Sequence, residues 1–181
     1  MNKKILNQLI LDLGKGEINA EYVKDTFDIE ITKSYNNINE WADAIDDAIL
    51  HRYFSKVWQP DMKKWKHSGL QLIDEVNNLR PRNVLDVGCG YNEFKGKINF
   101  LTGIDPYNDK ADILIKTIDY TPKQKFDVIL CLGSINFGSQ SKIETEVAHC
   151  ASLLEKGGTM FFRVNPGVKH DKPESKWIDF Y

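Results

Sequence analysis

The fold of this chain is decided by the stretch Val84-Leu85-Asp86-Val87-Gly88-Cys89-Gly90. Its branched apolar residues suit a strand buried on both faces, as in a parallel sheet with a layer on each side. Gly88 and Gly90 then predict a tight turn, because residues without a Cβ adopt positive φ and let a ligand approach the main chain closely. A second stretch, Thr102-Gly103-Ile104-Asp105, also ends in a carboxylate. Together they predict an α/β, doubly wound sheet whose strand ends meet at one crevice.

The carboxylates at the two strand ends are candidates for holding a nucleoside. Asp105 lies 19 positions after Asp86 (105 − 86), close to the spacing of about 20 at which a second-strand acid binds ribose hydroxyls. A dinucleotide site needs a third small residue where a helix meets the pyrophosphate, and Glu93 stands there instead. Because an anion there repels pyrophosphate, the sequence disfavours NAD, FAD and the rival interpretation as an NAD-dependent oxidoreductase.

The order of the motifs resembles the class I (Rossmann-like) S-adenosylmethionine-dependent methyltransferases. Asp86-Val87-Gly88-Cys89-Gly90 matches the acidic-x-Gly-x-Gly motif of that family. Further matches follow in the expected order: Asp105-Pro106 at the end of strand two, Ile118-Asp119 after strand three, strand four over 126–133, and a helix end, two glycines and strand five over 153–162. The resemblance implies a mostly parallel Rossmann-like sheet, S-adenosylmethionine as the cofactor, and methyl transfer as the activity.

The resemblance also implies which residues hold the cofactor. Asp105 is expected to bind the ribose, Pro106 to lie beside the adenine, and Asp119 to accept a hydrogen bond from the adenine amino group. The full set of implied cofactor residues is Asp86, Gly88, Cys89, Gly90, Asp105, Pro106, Ile118, Asp119, Leu132 and Gly133.

Methyl transfer is an in-line displacement that depends mainly on alignment and exclusion of water. A base is needed only where the acceptor must lose a proton to become nucleophilic. Asn136, after strand four, is a candidate for positioning the acceptor, the alternative being a turn residue beside Gly138. His170, next to Asp171 after strand five, is a candidate base, the alternative being an exposed loop histidine. The sequence identifies neither the methyl acceptor nor an obligatory base.

The segment after strand four narrows the class of acceptor. Enzymes that methylate amino groups of nucleic-acid bases typically carry Asn-Pro-Pro or Asp-Pro-Pro and an aromatic residue there, whereas this chain reads Leu132-Gly133-Ser134-Ile135. Cys131 lies inside an apolar strand, unlike the nucleophile of cytosine C5 methylation. The resemblance therefore favours a small-molecule or protein acceptor over a DNA base. The alternative function is a catalytically inactive, S-adenosylmethionine-binding regulatory or interaction module.

Several parts of the family's fold are shortened here. Only residues 91–100 lie between the first two strands, and Gly96 weakens a helix interior by about 1 kcal/mol, which predicts a stub helix. Residues 107–110 are too few for the next helix, so one face of the sheet is expected to be thinly covered. The chain stops at Tyr181 soon after strand five. We therefore expect a minimal version lacking the last two strands, or a fragment, with a partner or oligomer contact covering the open sheet edge.

The residues before the first strand predict a helical appendage. Residues 1–60 are expected to form it, as a candidate lid, and residues 61–181 to form the methyltransferase core. Hydrophobic periodicity predicts helices over 3–13, 40–57 and 62–79, with Asn37 or Asn39 capping the second. Arg80-Pro81 should stop the third, and the region around 21–32 is ambiguous.

Composition indicates a soluble globular protein, with 181 residues of which 41% are hydrophobic. A net charge of −2 gives no overall positive electrostatic potential that would attract nucleic acid. No membrane span and no signal peptide are expected, which predicts a cytoplasmic protein. Because the three cysteines cannot all pair, they are expected to be reduced, with no metal site.

Overall fold

The structure is a computed structural model of the chain, and it describes residues 3–13, 18–58, 69–138, 140–164 and 178. The described residues divide between two compact units. The first contains 3–13, 18–58, 137, 138, 140–142 and 178, and the second contains 69–136 and 143–164. The domain boundary at residue 60 stays a prediction.

The first unit is helical. Its helices are α1 (Lys3–Leu13), α2 (Ala20–Phe27) and α3 (Ile38–Arg52), and a π-helical turn, Tyr53–Val57, continues α3. The Asn37 side chain accepts hydrogen bonds from the N–H groups of Asn39 and Glu40, so Asn37 is the cap. The helices predicted over 3–13 and 40–57 are confirmed, and the ambiguous region contains α2. None of the helices in the described ranges is long and apolar enough to cross a membrane.

The second unit contains a five-stranded sheet. Its strands are β1 (Val84–Val87), β2 (Leu101–Asp105), β3 (Ile113–Leu114), β4 (Phe126–Leu132) and β5 (Leu154–Arg163). Their order is β3-β2-β1-β4-β5 and every pair is parallel, which confirms the predicted doubly wound sheet. The chain proceeds from β1 outward to β3 and then returns to β4 on the other side of β1. The reversal in strand order therefore lies between β1 and β4. Doubly wound folds bind ligands at such a reversal, outside the carboxyl ends of the strands.

Both faces of the sheet are covered, as the fully buried β1 requires. One core cluster joins Leu85, Val87 and Ile129 to Cys150 and Leu153, which lie on α5 (Gln140–Leu153). The other cluster joins alternate strand residues to the short helix α4 (Leu72–Asn78) and to a turn; its members are Val76, Val84, Phe94, Ile98, Leu101, Val128 and Leu130. Alternate residues of β1 and β4 therefore enter opposite layers, as strand geometry requires.

The connection between β1 and β2 carries no helix, so the predicted stub over 91–100 is wrong. Positive φ angles at Asn92 (56°), Gly96 (75°) and Phe100 (57°) interrupt a right-handed helix. Successive turns take its place, and Phe94 and Ile98 from those turns cover the sheet. With no helix there, the connection offers no helix N-terminus to a pyrophosphate.

Within the described residues, the helix predicted over 62–79 extends only from Leu72 to Asn78. Residues 61–68 lie outside the described ranges, Gly69 has φ of 90°, and α4 begins at Leu72. A Cβ on Gly69 would lie 2.6 Å from Cδ1 of Leu132. The chain therefore lies close to the Leu132 side chain before the helix begins, and the positive φ at Gly69 favours glycine there.

Gly157 and Gly158 lie inside β5, whereas the sequence pattern placed them before the strand. β5 pairs Leu154 with Phe126 and Thr159 with Val128, so residues 155–158 lie opposite Asp127 in a bulge. A Cβ on Gly158 would lie 2.8 Å from the Asp127 carbonyl oxygen, whereas a Cβ on Gly157 would meet nothing within 4 Å.

We expect Gly158→Ala to lower the free energy of unfolding by about 2 kcal/mol, because a strand carbonyl cannot move away from the new methyl group. Gly157→Ala is the matched control: its φ of 84° should cost about 1 kcal/mol and no more. Urea unfolding followed by circular dichroism measures both. Equal losses would show that the contact with Asp127 does not constrain the bulge.

Candidate functional site

A buried carboxylate lies at the end of β1. Asp86 is 3% exposed, and within the described ranges no hydrogen bond or ion pair involves its side chain. Burial raises the pKa of Asp86 to about 7, and the charge of Asp105 adds to the increase. A carboxyl group in such an environment gains strongly from a cationic ligand, which stabilises its ionised form.

Asp105 connects the glycine turn to the end of β2. Its Oδ2 accepts the N–H of Gly90 at 3.0 Å, and its Oδ1 accepts those of Tyr107 and Asn108 at 2.7 and 2.9 Å. These bonds use three of the roughly four acceptor positions of a carboxylate. A ribose hydroxyl would take the remaining position or displace a turn bond. Ribose binding by Asp105 stays a prediction, and the structure gives this residue a role in holding the turn.

Ser134, which follows β4, packs against the glycine turn that follows β1. Gly88 has φ of 64° and Gly90 of 52°, as the predicted turn requires. A Cβ on Gly88 would lie 2.3 Å from Cβ of Ser134 and 3.3 Å from its Oγ. The space that a side chain would fill at Gly88 is therefore occupied by Ser134, which follows β4.

Cys89 contacts β2. Its N–H donates to the Ile104 carbonyl at 3.0 Å, and a Cβ on Gly103 would lie 2.9 Å from its Sγ. Burial, with the charges of Asp86 and Asp105, raises the pKa of the Cys89 thiol. The thiol therefore stays protonated and is not a nucleophile. A cofactor contact at Cys89 stays a prediction.

The main chain at Leu132 and Gly133 is bonded to β5. The N–H of Gly133 donates to the Arg163 carbonyl at 2.8 Å, and Nη2 of Arg163 donates to the Leu132 carbonyl at 2.9 Å. Both residues lie at the reversal in strand order, as expected for cofactor residues. The Gly133 N–H and the Leu132 carbonyl are therefore used in bonds to β5, and a cofactor contact at these residues stays a prediction.

The residues expected to meet the adenine lie at the surface. Ile118 and Asp119 belong to a short 3₁₀ turn, Thr117–Asp119. Ile118 is 42% exposed, Asp119 is exposed and Pro106 is half-buried. These side chains are accessible to a ligand, and their role in binding adenine stays a prediction.

Two buried polar atoms after β4 have no hydrogen-bond partner within the described part of the chain. They are Oγ of Ser134 and Oδ1 of Asn136, and the Asn136 side chain is 2% exposed. An unsatisfied buried acceptor costs about 1–3 kcal/mol, and native structures contain few of them. Both atoms therefore have unused hydrogen-bonding capacity at the reversal in strand order.

His170, the candidate base, lies outside the described residues. Sequence reasoning gave no role to Ser134 or Arg163, although both lie near strand ends beside the reversal. The sequence feature that could have identified them is their position, directly after β4 and at the end of β5. Within the described ranges no cluster of His, Cys, Asp or Glu is arranged to hold a metal ion.

The raised pKa of Asp86 predicts a pH-dependent stability. Because the native pKa, about 7, exceeds the ordinary value of 3.8, the native state binds more protons between these values. Stability should therefore fall as pH rises through this window, by up to about 1.4 kcal/mol per pH unit. Asp86→Asn has no proton to lose at this position. The free energy of unfolding of wild type minus that of the variant, measured in urea, should therefore fall as pH rises through this window. A difference that is constant with pH would contradict the raised pKa.

Asp105→Asn should destabilise the protein without any ligand. An amide offers one oxygen and an NH₂ group in place of two acceptor oxygens, so at least one N–H of the turn loses its partner. We expect a loss of about 2 kcal/mol and faster amide hydrogen exchange at Gly90, Tyr107 and Asn108. Unchanged exchange at all three amides would show that the carboxylate does not hold the turn.

The strand order and the glycine turn are those of an α/β, Rossmann-like fold. The solved structure of the Burkholderia thailandensis 1,6-didemethyltoxoflavin-N1-methyltransferase, with 1,6-didemethyltoxoflavin and S-adenosylhomocysteine bound, is similar to this chain at a TM-score of 0.50. The two are 15% identical, over 73% of this chain and 66% of that one. This likeness shows the fold of the chain.

Two further solved structures are similar. One is the N-methyltransferase NodS from Bradyrhizobium japonicum in complex with S-adenosylhomocysteine, at 14% identity and a TM-score of 0.49 over 64% of this chain and 70% of that one. The other is the sugar N-methyltransferase KedS8 from a Streptoalloteichus species, at 18% identity and a TM-score of 0.48 over 87% and 64%. The chain thus spans about two thirds of the length of these proteins. No protein-family model and no curated protein sequence matches it.

Proposed function

We propose that this chain is an S-adenosylmethionine-dependent methyltransferase whose acceptor is a small molecule or a protein rather than a DNA base. The observation that carries the proposal is the charge at the glycine turn. Asp86 and Asp105 are both buried, and neither forms an ion pair with any described lysine or arginine. A pyrophosphate would meet two carboxylates there, whereas a sulfonium would be attracted to them.

The fold and one relative support the same cofactor. The Burkholderia thailandensis methyltransferase, with the same fold, binds S-adenosylhomocysteine. In this chain the turns after β1 offer no helix N-terminus, and Glu93 forms an ion pair with Lys97 at 3.4 Å. The absence of a helix N-terminus favours a cofactor without phosphate groups over a dinucleotide, whereas the ion pair reduces the repulsion that Glu93 alone would exert on a phosphate.

When bound, S-adenosylmethionine supplies an electrophilic methyl group on a sulfonium sulfur. The chain's own residues bind the cation, align it with the acceptor and exclude water. Asp86 loses its proton to solvent as the cation is bound, because the positive charge stabilises the carboxylate. Asp105 keeps Gly90 and the glycine turn in one conformation before the ligand arrives.

Binding of S-adenosylmethionine should depend on pH through Asp86. Because the cation favours the ionised carboxylate, we expect the affinity to rise by up to about tenfold per pH unit below pH 7 and to level off above it. S-adenosylhomocysteine lacks the sulfonium charge, so its affinity should change less. Isothermal titration calorimetry of both ligands between about pH 6 and pH 8.5, with NADH as a non-binding control, measures this.

Asp86→Asn should remove the pH dependence and weaken binding of S-adenosylmethionine by about tenfold at pH 8. The matched control is Asp109→Asn, since Asp109 is exposed and its side chain forms an ion pair with Lys110, at 3.6 Å, on the same turn. The control should bind as wild type does. If wild type binds neither ligand at any pH, the proposed function is wrong.

β5 is an edge strand of the described sheet, and Phe162 and Val164 are 45% and 52% exposed. This supports a partner or a second copy covering that edge. The net charge of −2 supports an acceptor other than nucleic acid. A cytoplasmic location stays a prediction.

A further inference from the structure

We propose that the carboxamide of Asn136, together with the hydroxyl of Ser134, holds the methyl acceptor through an N–H group, and that this acceptor is an uncharged amine. The inference rests on the proposed function, which supplies the cofactor. It adds a class of acceptor and the two side chains that position it.

The first observation is the unusual state of these two side chains. Asn136 is 98% buried (100 − 2), yet its Oδ1 has no hydrogen-bond partner among the residues that the structure describes, and the same holds for Oγ of Ser134. Two other buried polar side chains nearby are bonded: Asp105 accepts three N–H groups, and Oδ1 of Asn108 accepts the N–H of Lys110 at 3.0 Å. Oδ1 of Asn92 is also unsatisfied among the described residues, but its amide group is held by Nδ2, which donates to the Lys110 carbonyl at 3.0 Å. Two unsatisfied atoms within three residues are best explained by a ligand that satisfies them.

The second observation is their position. Ser134 contacts Gly88, since a Cβ there would lie 2.3 Å from Cβ of Ser134. The segment from Ser134 to Asn136 therefore borders the glycine turn at the reversal in strand order. This is where a cofactor would approach the main chain, so a group held by the segment lies beside that cofactor.

The chemistry of a carboxamide selects the class of acceptor. An amide oxygen accepts a hydrogen bond but does not take up a proton at neutral pH. A hydroxyl acceptor must lose its proton to become a good nucleophile, whereas an uncharged amine already carries a lone pair. An amine that donates one N–H to Oδ1 of Asn136 keeps its lone pair free, so Asn136 can position it without acting as a base.

The transfer step balances without a proton acceptor in the protein. The nitrogen lone pair forms the new N–C bond while the C–S bond breaks and its electron pair passes to sulfur. The positive charge moves from the sulfonium to nitrogen, and sulfur becomes a neutral thioether. The methylated nitrogen leaves as an ammonium and gives its extra proton to water after release.

Bisubstrate analogues test the role of Asn136 without knowledge of the natural acceptor. The probes are two analogues of the cofactor in which nitrogen replaces sulfur and carries either a 2-aminoethyl or an n-propyl arm. At about pH 8.5 this diamine carries one proton, because charge repulsion disfavours a second one, and the proton is shared between the two nitrogens. A site that accepts an N–H from an uncharged amine selects the form in which the arm amine is unprotonated. Calorimetry should show that wild type binds the aminoethyl analogue about tenfold more tightly than the propyl analogue.

The variants separate positioning from folding. Asn136→Ala and the more conservative Asn136→Leu should lose the preference for the aminoethyl arm and keep their affinity for S-adenosylhomocysteine, which shows that the pocket is folded. Asn78→Ala, an exposed position on α4, should keep the full preference. Equal affinities of wild type for the two analogues, or a preference that survives in both Asn136 variants, would overturn the inference. No binding of S-adenosylhomocysteine by wild type would instead overturn the proposed function.

A transfer assay tests the class of acceptor. Wild type is incubated with methyl-tritiated S-adenosylmethionine and a heat-treated cell extract, before and after amine-specific acylation of that extract. We expect acylation to reduce methyl incorporation by at least about tenfold. Incorporation that persists after acylation would show that the acceptor is not an amine. Absence of incorporation in both samples, from protein that binds the cofactor, would also overturn the acceptor assignment and favour a binding module.

Discussion

The hydrogen bonds of the Asp105 carboxylate are the interaction on which the candidate site depends. A buried carboxylate is costly unless its oxygens are bonded, and here three main-chain N–H groups bond them. One comes from Gly90 after β1 and two from the turn after β2. The ends of neighbouring strands therefore become one rigid structure, and Gly88 is held where Ser134 packs against it. The N–H of Cys89, which donates to the Ile104 carbonyl, adds a second connection between the same two strand ends.

Asp86 contrasts with Asp105 although both are buried acids at strand ends. The charge of Asp105 is stabilised by amides that belong to the fold, so that residue serves the structure. Asp86 has no such bonds, and its pKa rises to about 7. Its ionised form is thus stabilised only when a cation is bound. The same principle applies after β4, where Ser134 and Asn136 retain unsatisfied polar atoms. Under the proposed function, Asp86, Ser134 and Asn136 make the unbound protein less stable, because the groups that would stabilise their polar atoms belong to the cofactor and the acceptor.

Several elements could be predicted because their causes are local. The apolar runs of β1 and β4 predict buried parallel strands, and Asn37 carries the side chain that a helix N-terminus needs. The stub helix over 91–100 was wrong because Asn92 and Phe100 adopt positive φ, which is uncommon for residues other than glycine. The position of Gly157 and Gly158 was wrong because the bulge depends on the pairing of β5 with Asp127, which no local pattern encodes.

The sequence by itself determined the parallel sheet, the glycine turn and the two acids that flank it, because apolar runs and glycines act on their own neighbourhood. Only the tertiary structure decided what these residues do. Gly88 and Ser134 are 46 positions apart (134 − 88), and their contact follows from the insertion of β1 between β2 and β4. The bonds of Asp105, the isolation of Asp86 and the unsatisfied oxygen of Asn136 likewise depend on which distant groups surround each side chain. Burial and hydrogen bonding depend on residues that are distant in the sequence. A sequence pattern can therefore identify these residues, but it cannot distinguish a structural role from a ligand-binding role.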